Sequence, residues 1–412
     1  MSGCAVETTP CSDVQLKQKI TAEGSITTAG EQPSIAPSTK QPVTSLAPST
    51  KQPVTVRTPQ IHWHGKSPVF AIDFHPHLPR LCATGGSEPD GTGGIHLWLL
   101  NDGENAVEAP VQFIQDLQGH EKPVNCLRFC PKGDLLASSG VEGAIIIWKR
   151  SSTWEFMTVL RSHTLDVCDL SWSPSSLQLV SASVDNTGTV ACSIRGHDHF
   201  VLGASWDPQG DFILTVSSDS SCRFHVSKSK NSCFCDNSLI PFGREYKIFI
   251  DDTVAAHRRR AAWSPDGLFV VIPGGLYQQS QTTKPVYSTN VFARRNLAKP
   301  FAVLPCGKQP SIAVRRFCPV LFKIATCEEQ VSHSQSSPSR MIFAVATQSS
   351  MLVYDTAQMQ TPILYVSGIH FTPLTDIAWS SDGKFMIVTS SDGYCSIVEF
   401  APGGPIPNPH GA

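Results

Sequence analysis

The repeating unit of this chain is clearest in VLGASWDPQGDFILTVSSD, residues Val201–Asp219. A short run of apolar and small residues ends in Trp206, and a turn follows on Pro208 and Gly210. A second apolar run then tapers into serines and reaches Asp219. Because proline, glycine and aspartate favour tight turns, this order predicts a strand, a hairpin and a second strand.

The same order recurs along the chain. The matching runs are VNCLRFCPKGDLLASSG from Val124, VCDLSWSPSSLQLVSASVD from Val167, RAAWSPDGLFVVI from Arg260 and LTDIAWSSDGKFMIVTSSDG from Leu374. Histidines precede several units, at His64, His120, His163, His197 and His370. A period of roughly 40 residues with these features is typical of a β-propeller of the WD-repeat type.

The number of repeats follows from the aromatic residues that end each first strand. These are Phe74, Phe129, Trp172, Trp206, Trp263, Phe317 and Trp379. We therefore predict an all-β, seven-bladed propeller over residues 59–400, with a polar insertion at residues 327–340 in blade 6. In WD repeats the histidine, a Ser or Thr, a turn Asp and a third-strand Trp form a buried hydrogen-bonded set. Trp98 and Trp148 occupy the Trp position, and Glu142 stands where Asp is expected.

Blade 3 is predicted to be shortened. Only about a dozen residues separate the Asp185 turn from His197, which leaves room for one strand where two belong. We expect Thr189–Arg195 to pair directly with the strand around Leu179–Ser183, giving three strands and no third-strand tryptophan. Because a buried tryptophan is lost, blade 3 should be the weakest part of the ring.

The ends of the chain differ from the middle. Residues 1–58 are rich in Ser, Thr, Pro, Gln and Lys, and they repeat an eleven-residue unit as SIAPSTKQPVT and SLAPSTKQPVT. Such a composition predicts a disordered arm, since it buries too little apolar surface to offset chain entropy. Residues 401–412 are predicted to be a short flexible tail. The sequence shows no signal peptide and no apolar run long enough for a membrane helix.

Charge and composition exclude several functions. With 32 basic and 34 acidic residues, the net charge is −2, which disfavours tight binding of duplex DNA by the chain alone. The 14 cysteines are expected to be reduced, mostly buried thiols. No phosphate-binding loop, nucleophile elbow or acid–base carboxylate pair is present, so we predict neither an enzyme nor a cofactor.

Three His-x-His pairs, namely His62/His64, His75/His77 and His197/His199, could each offer two imidazoles to zinc on a strand. None has a nearby Cys or carboxylate at ligand spacing, and His64 and His197 already serve as repeat histidines. No metal site is therefore predicted from these pairs.

Arginines cluster in blades 5 and 6 and are the candidate partner-binding residues. They are Arg258, Arg259, Arg260, Arg294, Arg295, Arg315 and Arg316. Arginine's planar fork suits an acidic partner segment. The alternative is that these residues are ordinary solvated loop charges.

Longer stretches resemble one family of propellers. They include PVFAIDFHP, SASVDNT, VFARRNLAKPFAVLPC (291–306), IAVRRFCPVLF and YVSGIHFTPLTDIAWSSDGKFMIVTSSDGYCSIVEF (365–400). In order and through the atypical blades 5 and 6, they resemble the middle WD-repeat subunit of chromatin assembly factor 1, a three-part histone chaperone. Compared with that family, roughly eight residues of blade 3 are missing. Either the chain is a spliced or divergent form, or its blade 3 has three strands.

The resemblance implies a nuclear, non-enzymatic scaffold that helps to deposit histones H3 and H4 on DNA during replication and repair. Its implied partners are the large subunit of the complex, a retinoblastoma-binding WD-repeat subunit and the two histones. The family's C-terminal motif for the anti-silencing-factor chaperone is absent from APGGPIPNPHGA, so that partner is not carried over. The alternative function is a WD-repeat interaction module that kept the fold but lost chaperone coupling.

Overall fold

The computed structural model describes ten segments of the chain, at residues 54–101, 109–189, 193–194, 196–227, 235–236, 248–254, 258–278, 284–315, 322–323 and 339–401. These residues form antiparallel sheets, which confirms the all-β propeller. No helix among them has the length and apolar character needed to cross a membrane. The predicted N-terminal arm before residue 54 and most of the tail lie outside the described residues.

The described residues contain seven four-stranded sheets, which we number 1 to 7 along the chain. Sheet 1 consists of β2 (Val69–Phe74), β3 (Leu81–Ser87), β4 (Gly93–Leu100) and β5 (Val111–His120). Sheet 2 consists of β6 (Val124–Phe129), β7 (Leu135–Gly140), β8 (Ile145–Arg150) and β9 (Trp154–Leu160). Sheet 3 consists of β10 (Val167–Trp172), β11 (Leu179–Ser183), β12 (Gly188–Thr189) and β13 (Ser193–Ile194). Sheet 4 consists of β14 (Val201–Trp206), β15 (Phe212–Ser217), β16 (Cys222–Ser227) and β17 (Cys235–Asp236).

Sheet 5 consists of β18 (Ala262–Trp263), β19 (Phe269–Tyr277), β20 (Val286–Ala293) and β21 (Ala302–Gly307). Sheet 6 consists of β22 (Ser311–Arg315), β25 (Ile342–Thr347), β26 (Ser350–Asp355) and β27 (Leu364–Ser367). Sheet 7 consists of β28 (Leu374–Trp379), β29 (Phe385–Ser390), β30 (Cys395–Phe400) and β1 (Val54–Arg57). A separate two-stranded sheet pairs β23 (Phe322–Lys323) with β24 (Ser339–Arg340).

The core lies between consecutive sheets rather than in one central mass. Each sheet packs a face of apolar side chains against the next, and seven buried clusters fill the seven gaps, including the gap between sheets 7 and 1. Trp63 and Phe74, for example, pack against Ile387 of sheet 7. Because each sheet packs between two neighbouring sheets, both faces of its inner strands are covered. The first strand of each sheet lines the centre of the ring.

The ring is closed by a strand that the sequence analysis assigned to the disordered arm. Strand β1 pairs antiparallel with β30, with Val54 opposite Phe400 and Arg57 opposite Ile397. Val54 is buried in the core between sheets 6 and 7. The predicted boundary at residue 58 is therefore wrong, since residues 54–57 complete sheet 7.

Sheet 3 corrects a second prediction. It contains four strands, not three, but β12 and β13 are only two residues long. Thr189 does pair directly with Ser181 of β11, and Ser193 pairs antiparallel with Thr189. Within the described residues, sheet 3 therefore keeps a third and a fourth strand, each with two described residues.

Two further predicted features lie at the edge of what is described. Phe317, the predicted end of the first strand of blade 6, lies outside the described residues, and β22 ends at Arg315. Of the predicted insertion at residues 327–340, the described part is Ser339–Arg340, which forms β24.

Candidate partner-binding site

The histidine-centred sets expected from the repeat are present. In sheet 2, His120 Nε2 lies 2.8 Å from Ser138 Oγ, Trp148 Nε1 donates to Ser138 Oγ at 2.9 Å, and His120 Nδ1 contacts Glu142. Sheet 1 repeats this arrangement around His64. The predicted hydrogen-bonded sets of these two repeats are confirmed, with glutamate in the aspartate position.

Sheets 3 and 4 keep the histidine, the hydroxyl residue and the turn carboxylate of the set, and they differ at the tryptophan position. In sheet 3, His163 lies 2.9 Å from Asp185 and 2.7 Å from Ser181. In sheet 4, His225 takes the tryptophan position and its Nε2 lies 3.0 Å from Thr215 Oγ1. Burial lowers the pKa of His225 to about 4, so this imidazole is neutral at physiological pH.

Glutamate in place of aspartate depends on a nearby glycine. A Cβ atom added to Gly140 would lie 2.3 Å from Glu142 Oε2, so a larger residue at this position requires the carboxylate to move. Sheet 3 has the shorter Asp185, and Ser183 occupies the position equivalent to Gly140. The turns GVE (140–142) and SVD (183–185) are therefore two compensated solutions to one geometry.

Inner-strand aspartates tie neighbouring sheets together. Asp73 accepts a hydrogen bond from the backbone N–H of Phe129 at 2.9 Å, and Asp169 accepts one from Ala204 at 3.2 Å. Asp376 accepts one from Ile72 at 3.2 Å, across the closure of the ring. Each buried carboxylate thus joins the first strand of its own sheet to that of the next.

Two arginines neutralise this acidic centre. Arg260 Nη1 lies 2.8 Å from Asp376 Oδ2, and Arg128 Nη2 lies 2.7 Å from Asp169 Oδ1. Arg260 also donates to the carbonyl oxygen of Asn125 at 2.5 Å. Arg260 therefore crosses the central channel from sheet 5 to sheets 2 and 7, and an interior cation of this kind is satisfied only by such a ring of acceptors.

Arg259 and Arg260 consequently do not belong to a surface patch. Their exposed fractions are 0% and 1%, and Arg259 donates to the carbonyl oxygens of Ser217 and Asp251. Burial lowers the pKa of Arg259 to about 10, which leaves it charged at neutral pH. The prediction that these two arginines contact a partner is wrong, because their donors are used inside the ring.

The remaining predicted arginines are spread over separate places. Arg258 is half-buried, with its guanidinium 4.9 Å from the centre of the Phe70 ring. Arg294 is paired with Asp207 at 2.7 Å and with Asp211, whereas Arg295 is exposed. The side chains of Arg315 and Arg316 lie outside the described residues. The structure thus does not gather the described members of the set into one patch, and a partner role for Arg258 and Arg295 stays a prediction.

A funnel at one mouth of the central channel was not foreseen. It has a volume of about 390 Å³, and its walls include Trp172, Trp206 and Trp263, which end the first strands of sheets 3 to 5. Arg128 and Arg260 contribute to its lining beside Asp169. Trp172 Nε1 donates to a backbone oxygen, whereas the Nε1 atoms of Trp206 and Trp263 have no hydrogen-bond partner within the described part of the chain. Such a concave, mostly apolar surface with a few polar groups suits a docked protein segment.

The sequence contains a signal for the channel. The first strands read AIDF, VCDLSW and LTDIAW, each with an aspartate one to three residues before the aromatic end. Asp169 and Asp376 share one position, three residues before the aromatic end, and Arg260 of the HRRR run lies 3.8 Å from Asp169 and 2.8 Å from Asp376.

Most histidines of the His-x-His pairs contact other protein groups. His62 is exposed whereas His64 is buried, and His75 and His77 each contact a backbone oxygen of sheet 2. His197 is held by Asp219 at 2.8 Å. Six of the seven free cysteines among the described side chains are buried and Cys306 is half-buried, and burial raises the pKa of Cys168 and Cys222 to about 12.

Comparison with known proteins identifies the family of this propeller. Residues 54–404 match the model of the CAF1B/HIR1 beta-propeller domain. The chain is 40% identical over 375 residues to the chromatin assembly factor 1 subunit FAS2 homolog of Oryza sativa subsp. japonica, covering 83% of this chain and 72% of the relative. It is 34% identical to the corresponding chromatin assembly factor 1 subunit of Mus musculus, covering 84% of this chain and 67% of the relative. Protein HIRA of Takifugu rubripes is 27% identical, over 82% of this chain and 34% of that protein. The chain belongs to the CAF1B/HIR1 family of β-propellers, among the propeller subunits of chromatin assembly factor 1.

Proposed function

We propose that this protein is the WD-repeat scaffold subunit of a histone chaperone complex that assembles nucleosomes on newly made DNA. The observation that carries this proposal is the family match, which begins at the closing strand β1 and continues past β30, so it spans the whole ring. The seven four-stranded sheets support a propeller of seven blades. On this proposal the protein acts in the nucleus, without catalysis.

The proposed partners are the large subunit of chromatin assembly factor 1, the retinoblastoma-binding WD-repeat subunit and histones H3 and H4. Relatives that carry the name of subunits of this factor support an assembly with its other subunits. Binding of the anti-silencing-factor chaperone is not proposed.

Co-purification of the full chain with the large subunit and with H3–H4 tests this function. We expect all four proteins in one complex, and the complex should deposit histones on replicated DNA. A chain that folds as a propeller but captures neither the large subunit nor the histones would favour the alternative, a WD-repeat module that lost chaperone coupling.

We also infer that Arg258 and Arg295 contact an acidic segment of a partner. Their greater exposure, in contrast to Arg259 and Arg260, supports this choice. Substitutions R258Q and R295E should weaken capture of the large subunit or histones, and rising salt should weaken it further. R161E, at an exposed site on another side of the ring, is the matched control. Unchanged, salt-insensitive capture by both variants would assign these arginines to solvent.

The buried charges also bear on DNA. Because Arg128 and Arg260 are paired with Asp169 and Asp376, they offer no free charge to phosphates. We therefore propose that the isolated chain does not bind duplex DNA tightly. A gel-shift assay at physiological salt checks this, and a tight shift by the isolated chain would contradict it.

A further inference from the structure

Sheets 2 and 5 carry an arginine at the same structural position, at the end of their third strand. These arginines are Arg150 and Arg294, and each donates its backbone N–H to the carbonyl oxygen of the residue before the second strand of its own sheet. Each also reaches back to the preceding sheet, where its Nη1 meets the residue that follows the first strand. That residue is His75 in sheet 1 and Asp207 in sheet 4, so the two sites can be compared directly.

Between sheets 4 and 5 the arginine is neutralised within the fold. Arg294 Nη1 lies 2.7 Å from Asp207 Oδ2, and Nη2 contacts Asp211. The guanidinium also lies 5.0 Å from the centre of the Phe212 ring. Two carboxylates and an aromatic face therefore satisfy this cation, and its side chain is only 15% exposed.

Between sheets 1 and 2 neither of these carboxylates has a counterpart. His75 takes the place of Asp207, since both donate their backbone N–H to the first residue of the next strand. Arg80 takes the place of Asp211, since both directly precede that strand. A second cation thus stands where the other site has an anion.

Arg150 consequently faces a hydrogen-bond donor. Its Nη1 lies 3.4 Å from His75 Nε2. That nitrogen lies 2.9 Å from the carbonyl oxygen of Gly133, which only accepts, and His75 Nδ1 lies 3.1 Å from two backbone nitrogens, which only donate. The proton of the neutral ring is therefore on Nε2, and Arg150 cannot donate to it. Arg150 is exposed, and in the part of the chain that the structure describes no carboxylate pairs with it.

A cavity of about 640 Å³ opens beside Arg80 and Arg150, between sheets 1 and 2. We call it the sheet 1–2 groove. Its walls are mostly apolar and include Leu78, Ile114 and Trp154. Leu78 and Ile114 are 36% and 47% exposed, so apolar surface is open to a ligand. The volume is within the range of roughly 300–1,000 Å³ that is usual for binding pockets.

The groove is preformed, because hydrogen bonds join its two walls. Gln115 Nε2 donates to the carbonyl oxygen of Trp154 at 2.8 Å, and the backbone N–H of Trp154 donates to Gln115 Oε1 at 3.1 Å. The side-chain amide thus pairs with the backbone as a neighbouring strand would. His77 Nε2 lies 3.0 Å from the carbonyl oxygen of Pro131 across the same gap between sheets. A ligand therefore finds a rigid site and pays little entropy for ordering it.

The charge at the groove is positive. Arg80 and Arg150 line it together with Asp382. The Oδ1 atom of Asp382 accepts hydrogen bonds from Ser380 Oγ and the backbone N–H of Lys384, and Lys384 Nζ lies 4.0 Å from Oδ2. This aspartate is thus held within its own turn. A ligand complementary to the groove must therefore bring a carboxylate of its own.

We propose that the sheet 1–2 groove binds a partner segment in which a carboxylate lies close to a large apolar side chain. The carboxylate pairs with Arg150, as the aspartates of sheet 4 pair with Arg294. The apolar side chain packs between Ile114 and Trp154. Phe156, two residues after Trp154 on β9, is 58% exposed, so apolar surface continues along the edge strand, as a bound chain segment requires.

The identity of the partner follows from charge together with the proposed function. Histones are basic and do not suit a positive groove. The retinoblastoma-binding subunit is itself a WD-repeat protein, whose chain is mostly folded into a ring. We therefore assign the segment to the large subunit of chromatin assembly factor 1. This assignment rests on the proposed function, whereas the chemistry of the segment rests on the groove alone.

Binding of short, overlapping synthetic peptides that cover the large subunit tests the groove. Each peptide carries a fluorescent label, and its anisotropy is measured with the full chain. The central variants are R150Q and I114E, and the matched control is R161Q, which removes an exposed arginine outside the groove.

We expect the peptides that bind to share an Asp or Glu close to a Leu, Ile, Phe or Met. R150Q should weaken their binding at least about tenfold, equivalent to roughly 1.4 kcal/mol, whereas R161Q should leave it unchanged. I114E should weaken it as well, because a carboxylate then enters the apolar wall. Replacing the acidic residues of a peptide by amides should weaken its binding to the wild-type chain but not to R150Q.

Melting temperatures separate binding from a structural role. R150Q should melt with the wild-type chain, because no internal ion pair is lost. R294Q, at the equivalent position of sheet 5, should melt at a lower temperature, because it leaves Asp207 without its cation. A lower melting temperature of R150Q, or an unchanged one of R294Q, would contradict the difference between the two sites.

Equal peptide binding by the wild-type chain and R150Q would overturn the proposal, and so would an absence of any binding peptide. Capture of the intact large subunit by the wild-type chain tests the proposed function separately. Capture without any peptide that depends on Arg150 would exclude the groove alone. Peptide binding that depends on Arg150 without such capture would support the groove and exclude the proposed assembly.

Discussion

Sheets 2 and 3 are neighbours built on nearly the same turn, yet their outer halves differ. Each has a histidine 22 residues before the turn carboxylate, at His120 and His163. Sheet 2 continues into outer strands of six and seven residues, whereas each outer strand of sheet 3 has two described residues. Trp148 completes the hydrogen-bonded set in sheet 2. The equivalent position in the sequence of sheet 3, two residues after Thr189, is Ala191.

The difference shows that the two halves of a blade are stabilised separately. The inner half of sheet 3 keeps its histidine, its turn and the ion pair from Asp169 to Arg128 of sheet 2. These contacts involve only the first two strands and the neighbouring sheet. The chain can therefore lose outer-strand residues without losing the ring, and among the described residues the buried clusters on the two sides of sheet 3 are the smallest.

Removing the side chain that sheet 3 lacks should cause the greatest loss of stability. Trp148 is 2% exposed and bonded to Ser138, so W148A should lower the free energy of unfolding by about 3–5 kcal/mol. Denaturant unfolding measures this. F156A, at a residue that is 58% exposed and contacts Trp148, is the control and should cost far less. A W148A loss below about 1 kcal/mol would mean that the tryptophan does not stabilise sheet 2.

Sheet 4 extends the contrast to pH, because His225 stands where sheet 2 has Trp148. Its pKa is lowered to about 4, so the unfolded chain binds this proton more readily than the folded chain. The contribution of this group to stability should be complete above about pH 6.5 and fall by up to about 3 kcal/mol as the pH drops from about 6.5 to about 4.

The variant H225W, which restores the residue type of sheet 2, should flatten this part of the stability curve. Urea unfolding at several pH values measures the slope. An identical slope in H225W and the wild-type chain would show that another group is responsible. His370, His64 and His75, whose pKa values are also lowered by burial, remain in both proteins and contribute to the residual slope.

A smaller effect tests the two turns directly. G140S should destabilise by about 1–2 kcal/mol, because its Cβ would contact the carboxylate of Glu142. Adding E142D converts the turn GVE into the SVD of sheet 3 and should recover most of that loss. The double-mutant cycle measures the coupling, and additive losses would contradict the interpretation of the two turns as compensated alternatives.

Much of this fold is visible in the sequence because its repeat is local. The histidine, the hydroxyl residue and the turn carboxylate lie within 22 residues of each other, so one pattern predicts His163, Ser181 and Asp185 together. Contacts between distant segments carry no such signal. Val54 pairs with Phe400, which lies at the other end of the propeller sequence. The strand of Val54 also follows a low-complexity repeat that suggests disorder.

The candidate site was harder to predict for an electrostatic reason. A run of arginines suggests a surface, since burying a charge is unfavourable unless it is paired. The partners of Arg260 come from other sheets, as Asp376 and the carbonyl oxygen of Asn125, and only the closed ring brings them together.

Sheet 3 should be the weakest part of the ring because its outer half is truncated. Native-state hydrogen exchange tests this most directly, by comparing amides of β11 with those of β7, which occupy the same position in sheets 3 and 2. We predict exchange at least about tenfold faster in β11, equivalent to roughly 1.4 kcal/mol less protection. Equal protection of β11 and β7 would contradict this weakness and the separate stabilisation of the two halves of a blade.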